Sequence, residues 1–284
     1  MTNLTSDKTV WRLKFQRAID LRDQLITGLN EYQETNPLKI EESEWNGHDL
    51  TVNLIISEQP SRKLSPILGD AIHNLRSSLD SLLFEIAIVN STRRNEKLTD
   101  EDIYRLTFPI KQKVLTEDDI KGFSKFGNSV LLGDIQKLQP SSYINEYLNT
   151  SEIEAVTSGH PLFILKKLSN IDKHRNLHPV FNYLDSWAVG TDDKSKLIKH
   201  DYLEISDEKI AIRFSFECKN ESQKPSFEPY FKIGILDPNT LKPKYSLTEL
   251  IETLASQVWF AITTLEPHLD SNFYANVVEP NISP

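Results

Sequence analysis

The feature that most constrains this fold is a run of apolar residues spaced three or four positions apart. It occupies six positions within residues 66–89: Leu68, Ile72, Leu75, Leu79, Leu82 and Ile86. This spacing places the six side chains on one face of an α-helix. Ser65 and Pro66 stand where a helix commonly begins. A long helix with an apolar face must pack against other elements, so we expect a core built around it.

Three further segments have helical spacing and are predicted helices: residues 9–33, 159–177 and 246–269. Pro179 ends the second of them, because proline lacks a backbone N–H and clashes with the preceding turn. Ser246 and Glu249 open the third with a capping box. The intervening residues 100–158 are expected to form short helices and loops.

Strands are predicted in two parts of the chain. Residues 38–45 and 50–58 flank Asn46-Gly47, a dipeptide that favours a tight hairpin turn. Residues 179–236 alternate in polarity or are rich in β-branched and aromatic residues, which predicts an antiparallel meander. We therefore predict an α+β fold, a single domain over residues 1–284, in which a bundle of four long helices packs beside an antiparallel sheet.

Composition restricts the classes of function. A net charge of −9 and a pI near 5.4 argue against nucleic-acid binding by bulk electrostatics, although a local basic cleft stays compatible with them. The single cysteine, Cys218, excludes an internal disulfide and a thiolate zinc site. The sequence has neither a signal-peptide core nor a run of about 18–20 apolar residues. We expect a cytoplasmic protein without a membrane segment.

The candidate catalytic residues are six polar side chains of two predicted helices: His73, Arg76, Asp80, Asp172, His174 and Arg175. The first three share a stripe at the edge of the apolar face of helix 66–89. On helix 159–177, continuing the apolar face places Asp172 and Arg175 towards the interior. Because buried charges need partners, we predict that Arg76 meets Asp172 and that Asp80 meets Arg175.

Two interpretations of this set stay open. It is either a structural salt-bridge network between helices, or a site in which His73 or His174 acts as general acid or base while the arginines stabilise a phosphoryl group. A zinc or manganese site at Asp172, His174 and His178 is disfavoured by Pro179, which ends the helix. No nucleotide-binding loop or nucleophile turn is present, so we expect no cofactor. The remaining histidines are expected at the surface: His48, His160, His200 and His268.

The segments GDAIHNLRSSLD, TFPI, LQPSS and NIDKHRNL lie in this order within residues 50–180. Together they resemble a widespread bacterial family of uncharacterised proteins with an H-x-L-R-x-x-L-D helix, FPI and QP segments and a D-K-H-R motif. That resemblance implies no activity.

A helical bundle carrying Arg and His is also similar, more distantly, to HEPN-type ribonucleases, whose motif separates Arg and His by four to six residues. In Arg175-Asn176-Leu177-His178 the histidine follows after three. This similarity implies a metal-independent ribonuclease or phosphoryl-transfer enzyme with RNA as partner. The alternative is a non-enzymatic binding or assembly protein, with a protein partner or a second copy of the chain.

Overall fold

The computed structural model describes residues 9–116, 119, 126–143, 149–174, 180–190, 196–205, 209–217, 224–236 and 243–270. Its helices are α1 (Val10–Glu34), α2 (Leu64–Arg93), α3 (Asp100–Arg105), α4 (Ser129–Lys137), α5 (Thr150–Gly159), α6 (Pro161–His174) and α7 (Leu247–Leu265). Its strands are β1 (Leu38–Trp45), β2 (Asp49–Ile56), β3 (Val180–Gly190), β4 (Lys196–Ile205), β5 (Lys209–Glu217), β6 (Ser226–Leu236) and β7 (Pro243–Ser246). Short 3-10 turns occupy Pro140–Tyr143 and Glu266–Leu269. The predicted mixture of helices and antiparallel strands is therefore confirmed.

The chain divides into two compact units. The helical unit comprises Met1–Arg22, Leu68–Leu177 and Ile251–Pro284, and the sheet unit comprises Asp23–Ile67 and His178–Leu250. Each unit is assembled from segments that are distant in sequence. The prediction of one domain over the whole chain stays a prediction.

Helix α2 forms the centre of the helical unit's core. All six residues of the predicted apolar face are buried, from Leu68 to Ile86. Helix α1 contacts it through Lys14, whose ammonium donates hydrogen bonds to the hydroxyls of Ser77 and Ser81 at 2.7 and 2.8 Å. Phe15 stacks on Trp259 of α7 with ring centroids 5.3 Å apart. The helices at both ends of the sequence thus pack in the same unit.

The sheet unit contains two antiparallel sheets. One has the strand order β1-β2-β5-β4 and the other β3-β6-β7. Their apolar faces meet in a cluster that includes Val52 and Phe214, against which Trp187 of β3 and Phe227 of β6 pack. The Trp187 and Phe214 ring centroids lie 4.6 Å apart. Burial of this shared face holds the two sheets together.

The turn between β1 and β2 is the predicted hairpin. Gly47 has φ 97°, a backbone conformation that residues with a side chain rarely adopt. The Asn46 side-chain oxygen accepts hydrogen bonds from the backbone N–H groups of His48 and Asp49, at 3.0 and 2.7 Å. The Asn46-Gly47 signal therefore predicted the position of this turn.

Two details of the predicted architecture differ from the structure. The strands after residue 179 do not form one meander: β3 pairs with β6, and β5 pairs with β2 of the hairpin. The predicted helix 159–177 corresponds to α6, which begins at Pro161 directly after α5 ends at Gly159. Seven α-helices, rather than only four long ones, are present among the described residues. Polarity patterns identify strands and helices, but they do not specify which strands become neighbours.

No helix in the described ranges has the length and apolar character required to cross a bilayer.

Candidate functional site

The centre of the candidate site is an irregular stretch of chain in the helical unit. We call Phe108, Pro109 and Ile110 the FPI segment; it follows α3 and belongs to no helix or strand. Phe108 and Ile110 are buried, with 0 % and 3 % of their surface exposed. Buried backbone N–H and C=O groups need hydrogen-bond partners, and a segment outside regular structure must find them elsewhere. In this segment polar side chains supply them.

Arg76 and Asp80 of α2 bind both polar backbone atoms of Phe108. The Arg76 guanidinium Nη2 donates to the Phe108 carbonyl oxygen at 2.5 Å, and the Phe108 N–H donates to Asp80 Oδ1 at 2.8 Å. The two side chains also pair with each other, at 3.1 Å between Arg76 Nη2 and Asp80 Oδ1. Their spacing of four residues places both on one side of α2, where they can bind one residue together.

Gln139 holds the next part of the segment. Its side chain is fully buried, and its Nε2 donates to the Pro109 carbonyl at 2.9 Å and to the Ile135 carbonyl at 3.0 Å. Its Oε1 accepts a hydrogen bond from the Lys111 N–H at 3.0 Å. One buried amide therefore satisfies a donor and an acceptor that flank Ile110.

Lys166 of α6 binds the last carbonyl of the segment. Its ammonium donates to the Ile110 carbonyl oxygen at 2.9 Å. Lys111, the residue after the segment, forms a salt bridge to Asp119 at 2.8 Å. Two helices and the segment's own neighbour thus bring three cations, Arg76, Lys111 and Lys166, to one short stretch of chain.

The electrostatics reflect this crowding. Burial lowers the pKa of Arg76, and the adjacent Asp80 opposes that effect. Burial also lowers the pKa of Lys166; the positive charges of Lys111 and Arg76 lower it further, and the negative charge of Asp119 opposes them. A hydrogen bond from Lys111, together with bonds from Thr116, lowers the pKa of Asp119 to about 2. Positive charge is therefore concentrated locally in a protein whose net charge is negative.

No family model, no curated protein and no solved structure matches this chain. The resemblances to the uncharacterised bacterial family and to HEPN-type ribonucleases stay predictions. The quoted motifs nevertheless have a structural relationship. The LRSSLD part of α2 supplies Arg76 and Asp80, TFPI supplies the segment, and LQPSS supplies Gln139. Three of the four motifs therefore form one hydrogen-bonded assembly.

The structure brings together two of the six predicted site residues. Arg76 and Asp80 lie at the edge of the core as expected, with 15 % and 29 % of their side chains exposed. His73 is exposed to solvent, contrary to its expected place at the edge of the core. It occupies the outward side of the stripe, because the 100° step between helix positions spreads the stripe beyond the buried face.

The remaining site residues lie outside the part of the structure that is described. Asp172 and His174 belong to the last turn of α6, but their side chains fall outside it, as does all of Arg175. The predicted pairs Arg76–Asp172 and Asp80–Arg175 and the metal alternative at His174 and His178 are therefore untested. Among the described residues there is no group of three or more metal-binding side chains.

Sequence reasoning missed Gln139 and Lys166, and it placed two histidines wrongly. His160 and His268 are buried, with 6 % and 0 % exposure, whereas His48 and His200 are exposed as expected. His160 accepts the Leu162 N–H through Nδ1 at 3.2 Å, and His268 Nε2 lies 3.0 Å from Asp134 Oδ2. His160 thus satisfies a backbone N–H in the first turn of α6, where such a partner is needed, and His268 pairs with a side chain of α4. The only available signal was their position beside Pro161 and Pro267.

Proposed function

We propose that this chain is a non-enzymatic binding or assembly protein in which Arg76 and Asp80 hold the fold together rather than act on a substrate. The observation that carries the proposal is the binding of both side chains to the backbone of Phe108. A catalytic arginine must keep donors directed at a substrate, and a catalytic carboxylate needs a free oxygen in a cleft. Here Arg76 Nη2 and Asp80 Oδ1 bind the Phe108 backbone and each other, so these two atoms serve the fold.

The site of binding in this proposal is the exposed edge strand β4. In the described four-stranded sheet β4 is terminal, next to β5. Ile198, Tyr202 and Leu203 expose 63 %, 45 % and 47 % of their surface there. Edge strands with exposed apolar side chains can accept another strand. Cross-linking of the chain to its partner in an extract of its own cells is expected to join residues of β4, and cross-links confined to other elements would contradict this assignment.

The structural role of Arg76 is tested by substitution and unfolding. Arg76→Met removes the bond to Phe108 and leaves Asp80 without its ion pair, so we expect the free energy of unfolding to fall by about 2–4 kcal/mol. Arg105→Met is a matched control, because Arg105 pairs with Glu101 at the same spacing with both side chains largely exposed. An exposed pair is worth about 0–1 kcal/mol, so the control should unfold almost as the wild type does.

A ribonuclease or phosphoryl-transfer function is the second candidate, and one observation favours it. Arg76 Nη1 is buried and has no hydrogen-bond partner among the described residues. A donor in that state could serve a phosphoryl oxygen. The variants above should therefore be incubated with RNA in parallel with unfolding. Cleavage by the wild type that is lost in Arg76→Met at unchanged stability would support the enzyme and refute the structural role.

A further inference from the structure

The three cations around the FPI segment are not fully neutralised by the described acids. Asp80 pairs with Arg76 and Asp119 pairs with Lys111. Lys166 donates one hydrogen bond to the Ile110 carbonyl and forms no ion pair with a described carboxylate. An ammonium group has three donors, so two remain. The group therefore has an excess of positive charge and of hydrogen-bond donors.

The geometry keeps these cations close to one another. Arg76 binds the carbonyl of Phe108 and Lys166 binds that of Ile110, two residues further along. Gln139 binds the carbonyl between them, that of Pro109. Arg76 and Lys111 also lie close enough to Lys166 for their charges to lower its pKa, so the three cations occupy one part of the helical unit.

The positive charges of this group repel one another. Burial lowers the pKa of Lys166, the charges of Lys111 and Arg76 lower it further, and Asp119 offsets only part of this effect. Arg76 Nη1 lacks a partner within the described residues. An anion placed beside Lys166 would offset the repulsion and accept hydrogen bonds from its ammonium group.

We propose that Lys166, supported by Lys111 and Arg76, forms a binding site for a phosphate group. A tetrahedral oxyanion carries several acceptor oxygens and can bind more than one cation at once. Lys111 is about half exposed, with 47 % of its side chain in contact with solvent, so the site opens on that side. The ligand is free phosphate or a phosphodiester group of RNA, both of which carry negatively charged non-bridging oxygens.

The test measures the thermal midpoint of the full chain in sodium phosphate and in sodium chloride of equal ionic strength. At ten times the dissociation constant, phosphate should raise the midpoint of the wild type by about 2–4 °C. Lys166→Met and Lys111→Met should lose most of this rise. Lys111→Met is the more informative, because its ammonium bonds no described backbone atom and its loss should change the unliganded midpoint little.

Lys167→Met is the matched control, because Lys167 is the next residue of α6 and is exposed. It should keep the full rise, which separates binding at the site from general effects of phosphate on stability. A rise of equal size in all four proteins, or none in the wild type, would overturn the proposal.

A second arm replaces phosphate with a short oligoribonucleotide and identifies the source of the phosphate group. Competition between the two ligands at Lys166 supports a phosphodiester, and phosphate binding without competition supports a free phosphate. The proposal does not depend on the structural role of Arg76, which is measured separately by unfolding in the absence of phosphate.

Discussion

His160 links the stability of the helical unit to pH. Its Nδ1 accepts the first free N–H of α6, from Leu162, and its ring contacts Tyr143 with centroids 5.0 Å apart. Burial lowers the pKa of His160 to about 4. Only the neutral ring can accept that hydrogen bond, so protonation would break it and place a charge in a buried position.

The pH dependence follows from this lowered pKa. In the unfolded chain His160 should titrate near 6.5, so above that pH it costs no stability. As the pH falls from about 6.5 towards 4, the unfolded chain binds a proton that the folded chain excludes. We expect the free energy of unfolding, measured in urea, to fall over this range, and the His160→Asn variant to show a smaller fall because asparagine accepts the same N–H without titrating.

The exposed His73 provides the control for this measurement. His73→Asn should reproduce the pH dependence of the wild type, since it changes an exposed side chain and leaves the hydrogen bond between His160 and Leu162 intact. If both variants behave alike, His160 is not the source of the effect.

At the scale of elements, the FPI segment shows how side chains can replace a neighbouring strand. In a sheet, the N–H and C=O of a buried residue bind the backbone of the next strand. At Phe108 the side chains of Asp80 and Arg76 bind these two backbone groups instead. The Gln139 side chain does the same for the Pro109 carbonyl and the Lys111 N–H. These side chains therefore hold the segment in place, and its backbone needs no neighbouring strand.

Substitution of glycine by alanine should change the free energy of unfolding in opposite directions at two positions. Gly47 in the β1–β2 turn has φ 97°, so Gly47→Ala should destabilise the chain by about 1–2 kcal/mol. Gly133 lies inside α4, where an added Cβ would meet no atom within 4 Å. Gly133→Ala should stabilise it by about 0.5–1 kcal/mol, because alanine favours the helix.

Chemical unfolding of the two variants beside the wild type measures both effects. Each protein serves as the control for the other, since the change in side-chain volume is identical. Shifts of the same sign would show that the local backbone does not determine the outcome.

At the scale of the whole molecule, both compact units draw on distant parts of the chain, so neither end should be dispensable. Helix α7 contributes four fully buried side chains to the helical unit: Leu254, Val258, Ile262 and Leu265. Burial of each is worth about 1.5–3 kcal/mol, against a total stability of about 5–15 kcal/mol for a domain. A chain that ends at residue 246 should therefore lack a cooperative thermal transition by circular dichroism.

A substitution on the outer face of the same helix gives the comparison. Phe260 exposes 54 % of its surface, so Phe260→Ser in the full chain should retain the transition within a few degrees. A truncated chain that melts as cooperatively as this variant would show that α7 is not needed for the core.

The sequence predicted the features that depend on local patterns. The buried face of α2 followed from the spacing of Leu68 and its successors, and the hairpin followed from Asn46-Gly47. Arg76 and Asp80 were identified because a charged stripe beside an apolar face requires partners. Their partner could not be identified, since a backbone group 28 or 32 residues away leaves no periodic signal.

The sequence pattern also did not predict which distant strands pair. Nothing in the alternation of β2 indicates that its second neighbour is β5 rather than another strand. Gln139 was overlooked because a single amide in a short polar motif resembles any loop residue until the buried carbonyl it serves is known. Burial of His160 likewise depends on tertiary packing rather than on its neighbours in sequence.

The pairing of β2 with β5 has a consequence for synthesis of the protein. Val52 and Ile212 are cross-strand partners, and roughly 160 residues separate them. At a translation rate of about 5–20 residues per second, the hairpin waits on the order of 10–30 s on the ribosome before its neighbour emerges. During that interval β5 is not yet available to pair with β2, so the apolar side chains of β2 stay exposed. A chaperone bound to the nascent hairpin should therefore raise the yield of folded protein.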